Sequence, residues 1–339
     1  MTAKPLVGFV YDLRKDYLAE GYSEQDVAEF DSEETINAIQ KTIESLGYSV
    51  ERIGSGKSLC KMLAAGKRWD MVFNIAEGIG GRCRESFVPA ILEMYQIPYT
   101  FSDPLVCATT LDKAIAKQLV AQSGFATAAF AVVEKEEDLN IIKLNYPLFA
   151  KPLAEGTGKG IDGNSHIANP KQLKNICLQL LSEYRQPVLV EEYLPGREFT
   201  TALLGSGTDA VVLGTMEIEM RSKKDEPAIY SYVNKEECES RIFYHPILND
   251  PAIKKEVEKL ALDCYKVLQC RDAGRVDIRL DKTGKACFLE VNPLPGLHPK
   301  HSDLPMIATQ EGMSYEKLIG TILDNAFKRA NNGRHTDSA

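Results

Sequence analysis

Two hydrophobic periods share the chain. Residues 6–11 form a short apolar run that predicts a buried strand. Across residues 31–46 the period changes: Ile36, Ile39 and Ile43 recur at helical spacing on one side. Ser32 is positioned to cap this helix, and Glu33 and Glu34 suit the positive end of its dipole. Gly47 ends it, and residues 48–53 resume strand character. A helix at about 58–65, a strand at 70–74, a glycine-rich segment at 77–81, a helix at 87–95 and an extended stretch at 97–99 follow. This alternation predicts a mostly parallel α/β sheet covered by helices.

The pattern changes near Ser102. Residues 111–122 read as a helix stopped by Gly124. Strand candidates at 128–133, 148–151 and 188–191 surround a helix at about 171–183, which predicts a smaller α+β domain. The last region combines sheet candidates with helices at about 251–268 and 315–329, and its polar tail, 330–339, reads as a frayed end. The expected domains are therefore 1–102, 103–189 and 190–329.

With 339 residues, two or three domains are expected, and 44% hydrophobic residues exclude global disorder. The net charge of -8 argues against nonspecific nucleic-acid binding. No apolar stretch reaches the ~20 residues that span a bilayer. The eight cysteines form no CxxC pair and read as buried thiols of a reduced, cytoplasmic protein. Gly54-Ser55-Gly56-Lys57-Ser58 invites a phosphate-loop reading. The full motif needs glycine at 51, where Glu51 stands, so this segment reads as a loop and helix start.

Three other segments could carry chemistry. Residues 274–292 read as a hairpin turning at Asp281–Gly284. If those two residues pair, Arg275 lies opposite Glu290 and Asp277 opposite Phe288. Arg275, Asp277, Glu290 and Asn292 then share a face. Two carboxylates, an amide oxygen and an arginine suit a phosphate–magnesium site. The alternative is a solvated face with an ordinary Arg–Glu pair, and a bulge or three-residue loop would change the parity. Further upstream, an apolar strand delivers Lys151, followed by Glu155-Gly156-Thr157-Gly158-Lys159-Gly160, which could cradle phosphates or form a plain turn. The strand ending at Glu191-Glu192-Tyr193-Leu194 precedes a Pro195-Gly196 turn and Glu198. It could offer backbone groups to a base, or its acids could be a solvated strand end.

Taken in order from Leu111 to Asn292, these segments resemble the D-alanine–D-alanine ligase branch of the ATP-grasp superfamily. The resemblance implies an ATP-grasp fold: an N-terminal Rossmann-like domain followed by small and large lobes with ATP between them. By the same resemblance, Lys113, Lys151 and Lys235 would contact the nucleotide and its phosphates. Glu155, Gly156, Thr157, Gly158 and Gly160 would cover them. Glu191, Glu192 and Leu194 would form the adenine hinge, and Glu198 would bind ribose. Arg275 would stabilise the phosphoryl transition state, Gly296 would sit in the turn that holds the intermediate, and Asp277, Glu290 and Asn292 would bind Mg²⁺, two ions, with Mn²⁺ as a substitute. His301 and Ser302 resemble a substrate-side pair. A homodimer is implied, acting on small-molecule carboxylate and amine substrates, with no nucleic-acid or membrane partner.

The recognition surface departs from the family's pattern. Glu77 stands where a histidine is usual, Arg82 and Arg84 enter the following loop, and a longer charged segment begins at Asp12. Glu236 replaces a tyrosine, and Thr157 replaces a serine. The rim formed by Asp12, Arg14, Lys15, Glu77, Arg82, Arg84, Glu236 and His301, with Thr157 and Ser302 also on the substrate side, therefore leads to an expected substrate other than simple D-alanine: another amino acid, peptide or small acid. Arg82 and Arg84 would pair with its second carboxylate and Glu77 or Glu236 with an amine, the alternative being surface pairs of the two arginines with Glu85. Authentic D-alanine–D-alanine ligation and ATP binding without turnover are the alternatives.

Overall fold

The run Leu6–Val10 forms β1 at the centre of a parallel three-stranded sheet, flanked by β2, Ser49–Gly54, and β3, Met71–Asn74. This is a computed structural model, and it describes residues 4–220, 242–247 and 249–336. Alternate side chains of a strand face opposite ways. Val7, Phe9, Met71 and Phe73 therefore pack on Ile36, Ile39 and Ile43 of helix Glu33–Ser45, while Val10 and Val72 meet Leu59 and Leu63 of helix Gly56–Ala64. Ser32 caps the first helix by accepting from the Thr35 amide, and Ser55 caps the second, so the Gly54–Ser58 segment is a helix start. Gly8 is required by close packing: a Cβ there would lie 2.7 Å from Ile53 and 2.8 Å from Trp69.

The second sheet contains β4, Phe130–Val133, β5, Leu148–Pro152, β6, His166–Ile167, and β7, Val188–Glu192, in the order β4-β7-β5-β6. Its pairs are antiparallel, and helix Pro170–Tyr184 covers it. The third sheet joins β8, Glu198–Leu204, β9, Val211–Met220, β10, Ile242–Pro246, β11, Ala273–Leu280, and β12, Ala286–Asn292, in the order β10-β9-β8-β11-β12. Helix Pro251–Val267 packs on one face through Val257, Ala261, Cys264 and Tyr265. On the other face, helices Asp303–Gln310 and Tyr315–Thr336 share a core with the first sheet. Buried Asp272 ties these parts together. It accepts from the Phe101 amide at 2.8 Å and from Arg329 at 2.7 Å.

Several elements differ from their sequence expectations. Residues 111–122 are not one helix. Asp112 ends helix Pro104–Leu111 and caps helix Lys113–Gln122, accepting from the Ile115 amide at 3.1 Å. Short helices Arg14–Ala19 and Asp303–Gln310 fall in segments whose apolar period is brief. Helix Tyr315–Thr336 continues through most of the expected tail, since extending an existing helix costs far less than nucleating one. In the hairpin, the closing pair is Leu280↔Ala286, and a bulge follows at Asp277/Ile278. The longer turn changes the parity and the bulge restores it. Arg275 therefore lies opposite Asn292, and Asp277 opposite Glu290. No helix among the described residues is long and apolar enough to cross a membrane. The seven described cysteines are free thiols.

Candidate active site

The β11–β12 pair carries Arg275, Asp277, Glu290 and Asn292 on one face. Arg275 donates to Asp277 at 3.0 and 2.9 Å and to Asp303 at 2.8 Å. Asp277 also accepts from the Thr200 hydroxyl at 2.8 Å, and the Asn292 amide lies 3.4 Å away. Glu290 faces two cations: Lys113 Nζ at 3.6 Å and Lys151 Nζ at 3.7 Å. Among the described residues no group of three or more His, Cys, Asp or Glu side chains forms a metal cage. Two carboxylates and an amide oxygen nonetheless suit a hard divalent cation that takes its other ligands from phosphate and water.

Beside this face lies a slot walled by Phe149, Ile161, Tyr193, Leu194 and Leu289. Its apolar walls suit a planar base, and Glu191 and Glu198 are part of its lining. Glu198 pairs with Arg279 at 3.2 Å, yet burial pushes its carboxyl above the ordinary range. For Glu191, burial acts the same way but is outweighed by Lys117 and Lys151, which hold the carboxyl low. Glu192 turns its carboxylate to Asn145, at 2.9 and 2.7 Å. Sequence reading overlooked Lys117. The signal was a lysine within the buried stripe Ala114, Ala116 and Val120 of its helix.

The glycine-rich loop joins the slot to the N-terminal unit. Lys113 donates to the Glu155 carbonyl at 2.6 Å. The Glu155 carboxylate instead faces Lys159 at 3.2 Å and Gln186 at 2.7 Å, and Gly160 packs against Pro152, so both shape the loop rather than line the slot. Gly158 lines the slot. Thr157 has a positive φ of 50°, and its buried hydroxyl oxygen has no protein partner.

A second cavity, of about 230 Å³, adjoins Arg275 and Asn292. Gly296, His301, Ser302 and Thr157 line it, together with Glu29, Glu77 and Glu85. The acidic wall is electrostatically uneven. Burial opposes charge on Glu29, but Arg84 and Lys159 override it and hold its carboxyl low. Burial, reinforced by neighbouring acids, raises Glu77, and burial pushes Glu85 up to about 7. Glu29 and Glu85 were not anticipated. Glu29 lies in the charged insertion, and nothing in its local sequence shows that the insertion folds back onto the loop.

Three expectations about the rim require correction. Asp12 accepts from Tyr17 at 2.5 Å and from the Gly78 amide at 2.8 Å, so its carboxylate is held inside the N-terminal unit and does not line the cavity. Arg82 reaches outward to Asp112 at 2.6 Å, with a side chain 74% exposed. Arg84 is buried and spends its donors on Glu29 at 2.9 Å and the Ala154 carbonyl at 2.8 Å. These partners leave neither arginine aimed at a substrate carboxylate. Lys235 and Glu236 lie outside the described residues.

An apolar-walled slot in a cleft between two antiparallel sheets, with Lys151, Asp277 and Glu290 in its lining, is the arrangement of an ATP-grasp ligase. Residues 119–324 match the family model for the D-ala D-ala ligase C-terminus. The D-alanine–D-alanine ligase of Aquifex aeolicus is 33% identical over 293 residues, covering 85% of this chain and 93% of that protein. An uncharacterized protein of Sinorhizobium fredii is 37% identical over 264 residues, 76% of this chain and 75% of its own length. The solved structure of Bacillus anthracis D-alanine–D-alanine ligase complexed with ATP aligns with a TM-score of 0.74 at 21% identity. It covers 98% of this chain and all of that one. The Enterococcus faecalis VanG D-Ala:D-Ser ligase aligns equally well, at 0.74 and 20% identity, covering 96% of this chain and all of that one. The chain belongs to the D-alanine–D-alanine ligase family of ATP-dependent ligases.

Proposed function

We propose that this enzyme joins two D-alanine molecules through an acyl phosphate. The observation that carries the chemistry is the position of Arg275: it borders the 230 Å³ cavity on the same strand face as Asp277. The choice of D-alanine is supported by the ligases of this size that are about a third identical over most of the chain.

The first substrate's carboxylate oxygen attacks the γ-phosphorus of ATP. An oxygen–phosphorus bond forms, and ADP departs with the electron pair of the broken bond. The second substrate's amine then attacks the acyl carbon, the carbon–oxygen bond to phosphate breaks, and the amine proton is lost to solvent or phosphate. Activation is needed because a free carboxylate is a poor electrophile. Asp277, Glu290 and Asn292 would hold Mg²⁺ or Mn²⁺, which when bound neutralises phosphate charge. Arg275 stabilises charge on the transferring group, and Lys113 and Lys151 exchange Glu290 for phosphate oxygens. The segment from Glu155 to Gly160 covers the phosphates and excludes water that would hydrolyse the acyl phosphate. Lys235 is proposed as a third phosphate-facing lysine.

A different amino acid is the second reading, favoured by one feature. Three acidic side chains, Glu29, Glu77 and Glu85, line the cavity, more than the single α-ammonium of D-alanine requires. The test is purified enzyme with MgATP and D-alanine, recording phosphate release and product mass, followed by paired amino acids. A D-alanyl-D-alanine mass with stoichiometric phosphate supports the first reading. Turnover only with other pairs supports the second, and no amino-acid-dependent phosphate release rejects both.

A further inference from the structure

Lys117 is completely buried, with no exposed side-chain surface. Its ammonium lies 2.9 Å from Glu191 Oε2 and donates to the Thr127 hydroxyl at 2.8 Å and the Phe288 carbonyl at 3.3 Å. Glu191 Oε1 lies 3.6 Å from Lys151 Nζ at the edge of the base slot. Lys117 itself is not part of the slot lining. We propose that Lys117 is a positioning residue whose ion pair keeps Glu191 charged, so that the slot selects a purine bearing an exocyclic amine over one bearing a carbonyl there. The inference rests on the ATP-dependent reading above.

A fixed carboxylate only accepts hydrogen bonds. It receives an amine and repels a carbonyl oxygen. A buried carboxylate without a cation tends to take up a proton, and a protonated carboxyl can donate to a carbonyl. Discrimination therefore depends on keeping Glu191 ionised against burial and nearby Glu290. Of the two cations facing it, Lys151 at 3.6 Å is shared with Glu290 and, in the ATP reading, with the phosphates, which leaves Lys117 at 2.9 Å as the cation dedicated to Glu191. Lys117 has no comparable task as a mere tie between strands, because Thr127 already donates to the Phe288 carbonyl at 2.8 Å and the Phe288 amide to the Ala126 carbonyl at 2.8 Å. A buried ammonium is costly unless paired, and Glu191 is its anionic partner in the contacts described. Burial lowers the Lys117 ammonium below its usual range, with Glu191 opposing that shift, so the two charges sustain each other.

The test compares ATP with inosine triphosphate in the full chain, using kcat/KM and calorimetric binding, for wild type, Lys117→Met, Lys117→Gln and Glu191→Gln. The expected result is at least a tenfold narrowing of the ATP preference in both Lys117 variants, through nucleotide KM, with amino-acid KM changed less than twofold. Glu191→Gln should narrow it similarly, and adding Lys117→Met should narrow it no further. In Lys117→Met the preference should recover as pH rises and Glu191 regains charge, which loss of a merely structural lysine would not produce. A folded Lys117 variant with the wild-type ratio overturns the proposal. So does equal weakening of nucleotide and amino acid. If neither Lys117 variant folds, a wild-type ratio in Glu191→Gln overturns it and a narrowed one supports it. Calorimetry supplies the ratio without turnover, so absence of ligation would reject the proposed function and leave this inference separately decided.

Discussion

The carboxylate of Glu29 accepts a hydrogen bond from the Gly156 amide at 2.7 Å, across 127 residues of sequence. The contact is close: a Cβ at position 156 would lie 2.3 Å from the same oxygen. The charged insertion of the N-terminal unit thus touches the backbone of the glycine-rich loop, and Glu29 also pairs with Arg84 at 2.9 Å. Glu29→Ala would leave Arg84 buried without its anion. We expect a loss of about 3–5 kcal/mol in denaturant unfolding. Glu29→Gln, which keeps an acceptor for the Gly156 amide, should lose less.

The two arginines of the following loop should behave oppositely. Arg82→Ala removes a largely exposed arginine from buried Asp112, which keeps its capping bond from the Ile115 amide, and should lower stability by no more than about 1 kcal/mol, with amino-acid KM within about twofold of wild type. Arg84→Ala removes the buried partner of Glu29 and should destabilise strongly. Combined with Glu29→Ala it should cost less than the sum of the two, because both remove one interaction. Thermal melts and double-mutant comparison check this. Additive losses would contradict the pairing.

Glu290→Gln should reduce amino-acid-dependent phosphate release by roughly a hundredfold or more while the melting temperature stays near wild type. The glutamine removes the proposed metal-binding charge and the anion facing two lysines, but Lys113 keeps the Glu155 carbonyl and Lys151 keeps Glu191. Asp277→Asn should match that catalytic loss and add a stability loss, because Asp277 also anchors Arg275 and Thr200. Phosphate-release assays with parallel melts separate the two effects.

Asp31 is expected to make stability pH-dependent. Burial, with a smaller contribution from Asp12, raises its carboxyl from 3.8 to about 7. Between those values the folded chain holds a proton that the unfolded chain releases. This residue's stabilising contribution is therefore full below about pH 4 and is lost as pH climbs to about 7. Asp31→Asn does not titrate. Its stability relative to wild type should rise across that interval, by on the order of 2–4 kcal/mol, and then level off. Urea titrations at pH 4, 5.5, 7 and 8 would measure the difference, and a flat difference would refute the assignment.

Local periodicity was sufficient for β1 and for the helix carrying Ile36, Ile39 and Ile43, because burial of one face is written in residue spacing. It was also sufficient for Ser32, whose capping bond reaches only three residues, but not for the pairing that puts Arg275, Asp277, Glu290 and Asn292 on a common face. The face survived although the partners shifted, because a longer turn and a bulge cancel in parity, a compensation that no local pattern encodes. The fates of the charged side chains were decided elsewhere. Asp12, Arg82 and Arg84 read as a recognition rim, yet their partners are Tyr17 and Gly78, Asp112, and Glu29 with Ala154. Lys117 reads as one more helix lysine, and only the approach of β7 and β12 makes it a buried cation facing Glu191. Periodicity records which side of an element is apolar. Whether a charge meets water, substrate or another charge depends on which distant segment arrives beside it, because Coulomb and desolvation energies are set by distance and burial rather than by sequence order.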